Sequence, residues 1–144
     1  TPNGAILEGM HFLCAEDNEL NAEILTELLK MKGAECTICE NGQKVVETFE
    51  QSVPGAYDMI LMDVQMPVMN GYDAARAIRR SLHKQAGTIP IIAMTANAFS
   101  EDIRHSLTAG MNAHISKPVD MMLLEKTIRS IKSGGGSETQ ADKE

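Results

Sequence analysis

The chain has 144 residues, of which 43% are hydrophobic, and it carries a formal net charge of −7. That length and that hydrophobic fraction suit one compact domain with a sizeable core. The chain has neither a basic block nor interleaved basic and aromatic residues, which argues against direct nucleic-acid binding. No apolar run approaches the ~20 residues that span a bilayer, and the first residues lack the features of a signal peptide. We therefore expect a cytoplasmic domain without membrane contact.

Short apolar runs alternate with amphipathic stretches along the chain. The runs that predict strands are 10–15, 34–39, 58–63, 89–95 and 113–116. Apolar residues at helical spacing follow each run. Gly33 and Gly110 stand where helices end, and Asn41-Gly42 marks a turn between a strand and a helix. Five such units predict an α/β fold, a doubly wound five-stranded parallel sheet in the order 2-1-3-4-5 with helices on both faces.

The two ends of the chain fall outside this alternation. We expect residues 1–8 to be a linker remnant and residues 9–132 to form the domain. Residues 133–144 are Gly/Ser-rich and then polar, which predicts a disordered tail. Thr1 stands where an initiator Met is usual, so we expect the chain to have been excised from a longer protein or processed.

Acidic residues end two of the predicted strands. Glu16 and Asp17 follow the first strand, and Asp63 ends the third. In the predicted order these strands are neighbours at the switch point, where ligands bind in sheets of this kind. Three carboxylates repel one another unless a proton or a cation compensates them, and a site with oxygen ligands alone suits Mg²⁺ or a similar hard ion. The sequence therefore predicts a metal site at this edge.

The ends of the fourth and fifth strands reach the same edge and bring Thr95 and Lys117 to it. A carboxylate nucleophile, a metal held by neighbouring carboxylates, an ammonium and a hydroxyl together form a phosphoryl-transfer site. In this interpretation Asp63 attacks phosphorus and becomes an acyl phosphate. Lys117 and the metal offset charge on the phosphoryl oxygens, and Thr95 donates a hydrogen bond to one of them.

With these residues in place, the chain resembles the response-regulator receiver domains of two-component signalling over roughly residues 9–132. The resemblance rests on four motifs in the family's order and spacing: Glu16-Asp17, Met62 to Pro67 with Gly71, Thr95-Ala96, and Lys117-Pro118. It implies a flavodoxin-like fold. It also implies phosphorylation of Asp63 by a phosphohistidine donor, either a histidine kinase or a histidine phosphotransfer protein, followed by autodephosphorylation.

The resemblance implies further details of the site and its output. Mg²⁺ would be held by Glu16, Asp17 and Asp63 with the backbone carbonyl of Gln65. Receivers commonly signal through the surface of their fourth helix, fifth strand and fifth helix, here near residues 99–132. Asn18, Asn21 and Met94 to Ala98 are similar to receivers of hybrid sensor histidine kinases. An isolated domain of this kind phosphorylates and dephosphorylates itself to a limited extent and is not a conventional enzyme.

His114 departs from the family pattern, because receivers usually carry Tyr or Phe at this position. In the family that ring moves inward as the threonine, here Thr95, engages the phosphoryl group. Imidazole is smaller and can be charged, so the sequence leaves two interpretations: an altered switch, or a half-exposed strand residue with little role.

Other functional classes are less well supported. A Mg²⁺-dependent phosphatase with an Asp nucleophile would need a second Asp two residues later as general acid, and that position is Gln65. A dinucleotide site would need a glycine-rich turn after the first strand, where Glu16 to Leu20 contains no glycine. Cys36 and Cys39 lack a second cysteine pair and fall within a predicted strand, so we expect reduced structural cysteines.

Overall fold

The computed structural model describes residues 6–64, 66, 68–95, 104, 107–117 and 119–132. Five strands form one parallel sheet in the order β2-β1-β3-β4-β5: β1 (His11–Ala15), β2 (Glu35–Cys39), β3 (Met59–Asp63), β4 (Ile91–Thr95) and β5 (Ala113–Ser116). The helices are α1 (Glu19–Met31), α2 (Gly42–Gln51), α3 (Gly71–Arg80) and α4 (Met121–Lys132). The predicted fold class and strand order are confirmed. The predicted fourth helix falls largely outside the described residues, so α4 corresponds to the fifth helix of the sequence prediction.

Helices pack on both faces of the sheet and create two hydrophobic cores. One core joins the sheet to α2 and α3 through residues such as Phe49 and Ile78, and the other joins it to α1 and α4 through residues such as Leu29 and Leu124. Every residue of β3 and β4 is buried. Strands covered on both faces have to be apolar at consecutive positions, which explains the unbroken apolar runs in the sequence.

Asparagine side chains start three of the helices. The Oδ1 atoms of Asn18, Asn41 and Asn70 each accept a hydrogen bond of 2.9 Å from a backbone N–H of the first turn. Such a cap satisfies a donor that the helix leaves unpaired, and it fixes where the helix begins. Since each of these helices follows a strand by a short connection, the caps also set the geometry of the loops at the carboxyl edge of the sheet.

The first described residues pack with the domain. Leu7, which falls within the predicted linker, has no exposed surface and belongs to the core on the α1 and α4 side. The predicted tail, 133–144, lies outside the described residues. Among the helices that the structure describes, none has the length and apolar character needed to cross a membrane.

Candidate functional site

Three carboxylates meet at the carboxyl edge of the sheet, where the sequence predicts them. Glu16 and Asp17 follow β1, and Asp63 is the last residue of the adjacent strand β3. Their side-chain oxygens lie within 4.8 Å of one another. Glu16 and Asp63 are only 5% and 3% exposed, whereas Asp17 is exposed. Two acids are thus held away from water by the fold, and the third faces solvent.

Lys117 supplies the positive charge of this cluster. Its Nζ atom lies 3.0 Å from Oδ2 of Asp63 and 3.3 Å from Oε1 of Glu16. The backbone N–H of Lys117 donates to the carbonyl of Thr95 at 2.8 Å, which extends the pairing of β5 with β4 by one residue. Burial acts to lower the pKa of Lys117, but the hydrogen bond and charge of Asp63, together with Glu16, outweigh it and raise the pKa above the usual lysine value.

Burial changes the pKa of Glu16. Desolvation raises the pKa of Glu16 above its ordinary value; the N–H of Asn18 at 3.2 Å acts to lower it, the charge of Asp63 raises it, and Lys117 lowers it. The net direction is upward. A buried carboxylate whose charged form is disfavoured gains from any cation that enters the cluster.

The cluster has the donors that a hard divalent cation prefers. Three carboxylates and one ammonium leave a formal charge of −2 on the site. The donors are all oxygens, and exposed Asp17 leaves one side open, so an ion could retain several of its waters there, as Mg²⁺ usually does. The fourth predicted ligand, the backbone carbonyl of Gln65, lies outside the described residues.

Thr95 and His114 lie on the same face of the neighbouring strands β4 and β5. Thr95 ends β4 and is 5% exposed. Met94, the residue before Thr95, accepts a hydrogen bond at its carbonyl from the N–H of Val64, which follows Asp63. His114 is half-buried and pairs with Ala93, two residues before Thr95. Because side chains alternate along a strand, Thr95 and His114 point to the same side of the sheet. The structure thus brings Asp63, Lys117 and Thr95 to one edge and places His114 one step behind it.

An apolar cleft of about 290 Å³ runs from this cluster along α1. Its walls are Glu16, Asn21, Ile24, Leu25, Leu28, Met94, Lys117 and Val119. Leu20 and Ile24 on α1 are 64% and 50% exposed. This surface is not among the sequence predictions, although the apolar residues at positions 20, 24 and 28, four apart, are a signal for it.

The two cysteines of the Cys-x-x-C pair lie on opposite faces of one strand. Cys36 and Cys39 are three residues apart on β2, and they face the α1 core and the α2 core respectively. Cys14, Cys36 and Cys39 are all free thiols. Their structural role stays a prediction.

Comparison with known proteins gives a consistent result. The family model for the response regulator receiver domain matches residues 12–129. Probable histidine kinase 2 of Oryza sativa subsp. indica is 34% identical over 139 residues, which cover 89% of this chain and 13% of the kinase. Hybrid signal transduction histidine kinase I of Dictyostelium discoideum is 37% identical over 120 residues, which cover 82% of this chain and 7% of the kinase. The chain thus spans a small part of these relatives.

Two solved structures add to this. The receiver domain of sensor histidine kinase PA1611 from Pseudomonas aeruginosa, solved with a magnesium ion in its active site cleft, has a TM-score of 0.74 and 36% identity, covering 88% of this chain and 98% of that one. The receiver domain of Ssk1 from Saccharomyces cerevisiae, solved with the histidine phosphotransfer protein Ypd1, has a TM-score of 0.74 and 32% identity, covering 84% of this chain and 87% of the matched chain. The chain belongs to the response regulator receiver domain family.

Proposed function

We propose that this domain accepts a phosphoryl group on Asp63 from a protein phosphohistidine and holds it as a signal. The observation that carries the proposal is the position of the Asp63 carboxylate, which lies 3.0 Å from the Lys117 ammonium inside a cluster of three acids. An oxygen of Asp63 would attack phosphorus as the phosphorus–nitrogen bond of the donor breaks, and the imidazole nitrogen would leave with the bonding electrons. The product is an acyl phosphate on Asp63.

Lys117 and Thr95 would stabilise the transferred group. Lys117 Nζ lies between two acids and can follow negative charge as it moves from the Asp63 carboxylate to the phosphoryl oxygens. The hydroxyl of Thr95, at the end of the adjacent strand, is the proposed hydrogen-bond donor to one of these oxygens. Glu16, Asp17 and Asp63 would hold Mg²⁺, which when bound offsets charge on the phosphoryl group.

The donor is proposed to be a protein rather than only a small acyl phosphate. The cleft beside Glu16 and Lys117 continues along α1, where Leu20 and Ile24 expose apolar surface. Exposed apolar surface that adjoins a reactive site is typical of a docking surface. The related Ssk1 receiver was solved with a histidine phosphotransfer protein, and the curated relatives are histidine kinases. Either kind of protein fits the proposal; the expected cytoplasmic location stays a prediction.

The output is proposed to pass through Thr95 and His114. Engagement of Thr95 with the phosphoryl group would change the space beside His114 on the same face of the sheet. The surface near residues 99–132, where the fourth predicted helix falls largely outside the described residues, would carry the signal. Multiple turnover is not part of the proposal, because the sequence provides no positioned acid at Gln65.

The test is chemical labelling of Asp63. The domain is incubated with Mg²⁺ and either acetyl phosphate or a phosphorylated histidine phosphotransfer protein, and the phosphoryl adduct is measured by intact mass. The matched control is Asp58→Asn, since Asp58 precedes the amino-terminal end of β3, the strand that Asp63 ends. The wild type and Asp58→Asn should be labelled, and Asp63→Asn should not. Hydroxylamine should remove the label, as expected for an acyl phosphate. Equal labelling of Asp63→Asn would refute the assignment, and sustained hydrolysis of small phosphomonoesters would favour the phosphatase alternative.

A further inference from the structure

Val68 has an unusual backbone conformation close to Asp63. Its φ angle is +69°, and it is the one residue other than glycine with a positive φ in the part of the chain that the structure describes. Left-handed backbone is unfavourable for a β-branched residue, whereas glycine or asparagine adopts it readily. The Val68 side chain is also 80% exposed. Neither its conformation nor its packing within the domain therefore favours valine.

The turn that contains Val68 is held on both sides and cannot easily relax. Gly42 at the start of α2 donates its N–H to the carbonyl of Met69 at 3.0 Å. Gly71 at the start of α3 donates to the carbonyl of Val64 at 3.1 Å. A Cβ atom at Gly42 would overlap the carbonyl oxygen of Met69, and one at Gly71 would overlap that of Asp63. The loop is therefore fastened to α2 and to the end of β3, with Val68 at its exposed part.

We propose that Val68 is a contact for the protein that donates the phosphoryl group to Asp63, and that the left-handed backbone holds its side chain exposed for this contact. The inference rests on the proposed function. Backbone strain that the surrounding structure maintains is often found at functional sites. Asp63 is 3% exposed, so a short phosphohistidine side chain reaches it only if the donor surface comes close to the loops at this edge. An exposed valine in one of these loops then becomes buried in the complex.

Charge favours a different protein over a second copy of this chain. The chain has a net charge of −7, and α1, which borders the site, exposes Glu19, Glu23 and Glu27. Two copies that approached each other through this edge would bring these acids and the site carboxylates together. A donor with an apolar patch and a neutral or basic rim avoids that repulsion.

The test compares variants at position 68 with a matched control. Val68→Asn and Val68→Gly suit the left-handed backbone but remove the apolar side chain, and Val68→Ala shortens it. Val53→Ala is the control. Val53 is 70% exposed and lies between the end of α2 and the start of β3, at the end of the sheet away from Asp63. Each protein is measured by urea unfolding, by its labelling rate with acetyl phosphate, and by its labelling rate with phosphorylated Ypd1 at limiting concentration.

We expect Val68→Asn to unfold at a higher urea concentration than the wild type and to be labelled by acetyl phosphate at the same rate. Its labelling by phosphorylated Ypd1 should fall roughly fivefold or more, the loss that corresponds to about 1 kcal/mol of interface contact. Val53→Ala should match the wild type in both labelling assays. Val68→Ala should lie between the wild type and Val68→Asn in the Ypd1 assay.

Each of the following results would overturn the inference. Unchanged Ypd1 labelling of the Val68 variants would show that Val68 does not contact the donor. An equal fall in both labelling rates would show that Val68 supports the chemistry of Asp63 instead. Wild-type dimers that are lost in Val68→Asn, seen by sedimentation, would identify a second copy as the occupant. If acetyl phosphate labels the wild type and Ypd1 does not, the choice of donor is wrong. If neither reagent labels it, the proposed function itself fails.

Discussion

Removal of the Lys117 charge should destabilise the metal-free domain strongly. Lys117 forms ion pairs with both Glu16 and Asp63. Lys117→Met keeps the length and the apolar stem of the side chain but leaves two buried carboxylates facing each other. We therefore expect a large fall in the free energy of unfolding, and a larger gain on addition of Mg²⁺ than in the wild type.

The distances give the size of the effect. At an effective dielectric constant of about 20, charges at 3.0 and 3.3 Å attract by roughly 5.5 and 5 kcal/mol. Desolvation of the ammonium opposes this attraction, so the measured loss should be nearer the ~3–5 kcal/mol found when one partner of a buried pair is removed. Small domains have about 5–15 kcal/mol of total stability, so the variant should stay folded with a clearly lower midpoint.

The loss should depend on pH in a defined direction. The pKa of Glu16 in the folded state lies above its unfolded value of 4.5, chiefly because of burial, and loss of Lys117 removes a group that lowers it. An acid whose pKa is higher in the folded state than in the unfolded state stabilises the fold at pH values below its unfolded pKa. This stabilisation is lost as the pH rises through the folded pKa. Lys117→Met should therefore differ least from the wild type near pH 4.5 and most at pH 8.

The assay is urea unfolding in EDTA and in excess Mg²⁺ at several pH values. Lys126→Met, which removes an exposed lysine of α4, is the matched control and should change stability little. If Lys117→Met and Lys126→Met unfold alike in EDTA at pH 8, the contacts of Lys117 with the two acids do not stabilise the domain, and the electrostatic account of the site is wrong.

Two further predictions concern the acids and the switch. Asp17→Asn should raise the thermal midpoint of the metal-free domain by reducing repulsion with Glu16 and Asp63. It should also weaken the stabilisation by Mg²⁺, which for the wild type is about 2.7 kcal/mol at a hundredfold excess over Kd. A full response to Mg²⁺ in this variant would show that Asp17 is not a metal ligand. His114→Tyr should increase the fraction of the domain that converts on addition of beryllofluoride, because a larger ring gains roughly 1–3 kcal/mol from burial. NMR signals near Thr95 report this conversion. If the wild type already converts fully and His114→Tyr changes nothing, position 114 has little role in the switch.

The sequence predicts the site well because two local signals combine with one rule of sheet topology. The apolar runs locate the strands, and the residues that end them are then brought to one edge by the parallel order. Glu16, Asp63 and Lys117 therefore appear together even though they are far apart in the chain. No detail of side-chain geometry is needed for that prediction.

Interactions that depend on side-chain reach could not be predicted in this way. Arg79 of α3 donates to the carbonyls of Gly110 and Ala86 and to the side chain of Asn112, and so ties the chain before β5 to α3. Gly110 and Asn112 are more than 30 residues from Arg79 in the chain, so these contacts leave no periodic signal near Arg79. Leu7 is similar, because the short apolar run Ala5-Ile6-Leu7 shows no helical or strand repeat, although the Leu7 side chain is fully buried.

The site is divided between strands with different freedom to move. Glu16 and Asp63 belong to β1 and β3, which have paired strands on both sides, whereas Lys117 follows β5 at the edge of the sheet. The N–H of Lys117 is bonded to the carbonyl of Thr95, so the two groups proposed to contact the phosphoryl oxygens are joined through the backbone. Phosphorylation would therefore leave the acids in place and pull on β5, which is hydrogen-bonded only to β4 in the described sheet. Movement of an edge strand breaks the fewest ladder hydrogen bonds, and that physical difference directs the proposed signal toward His114.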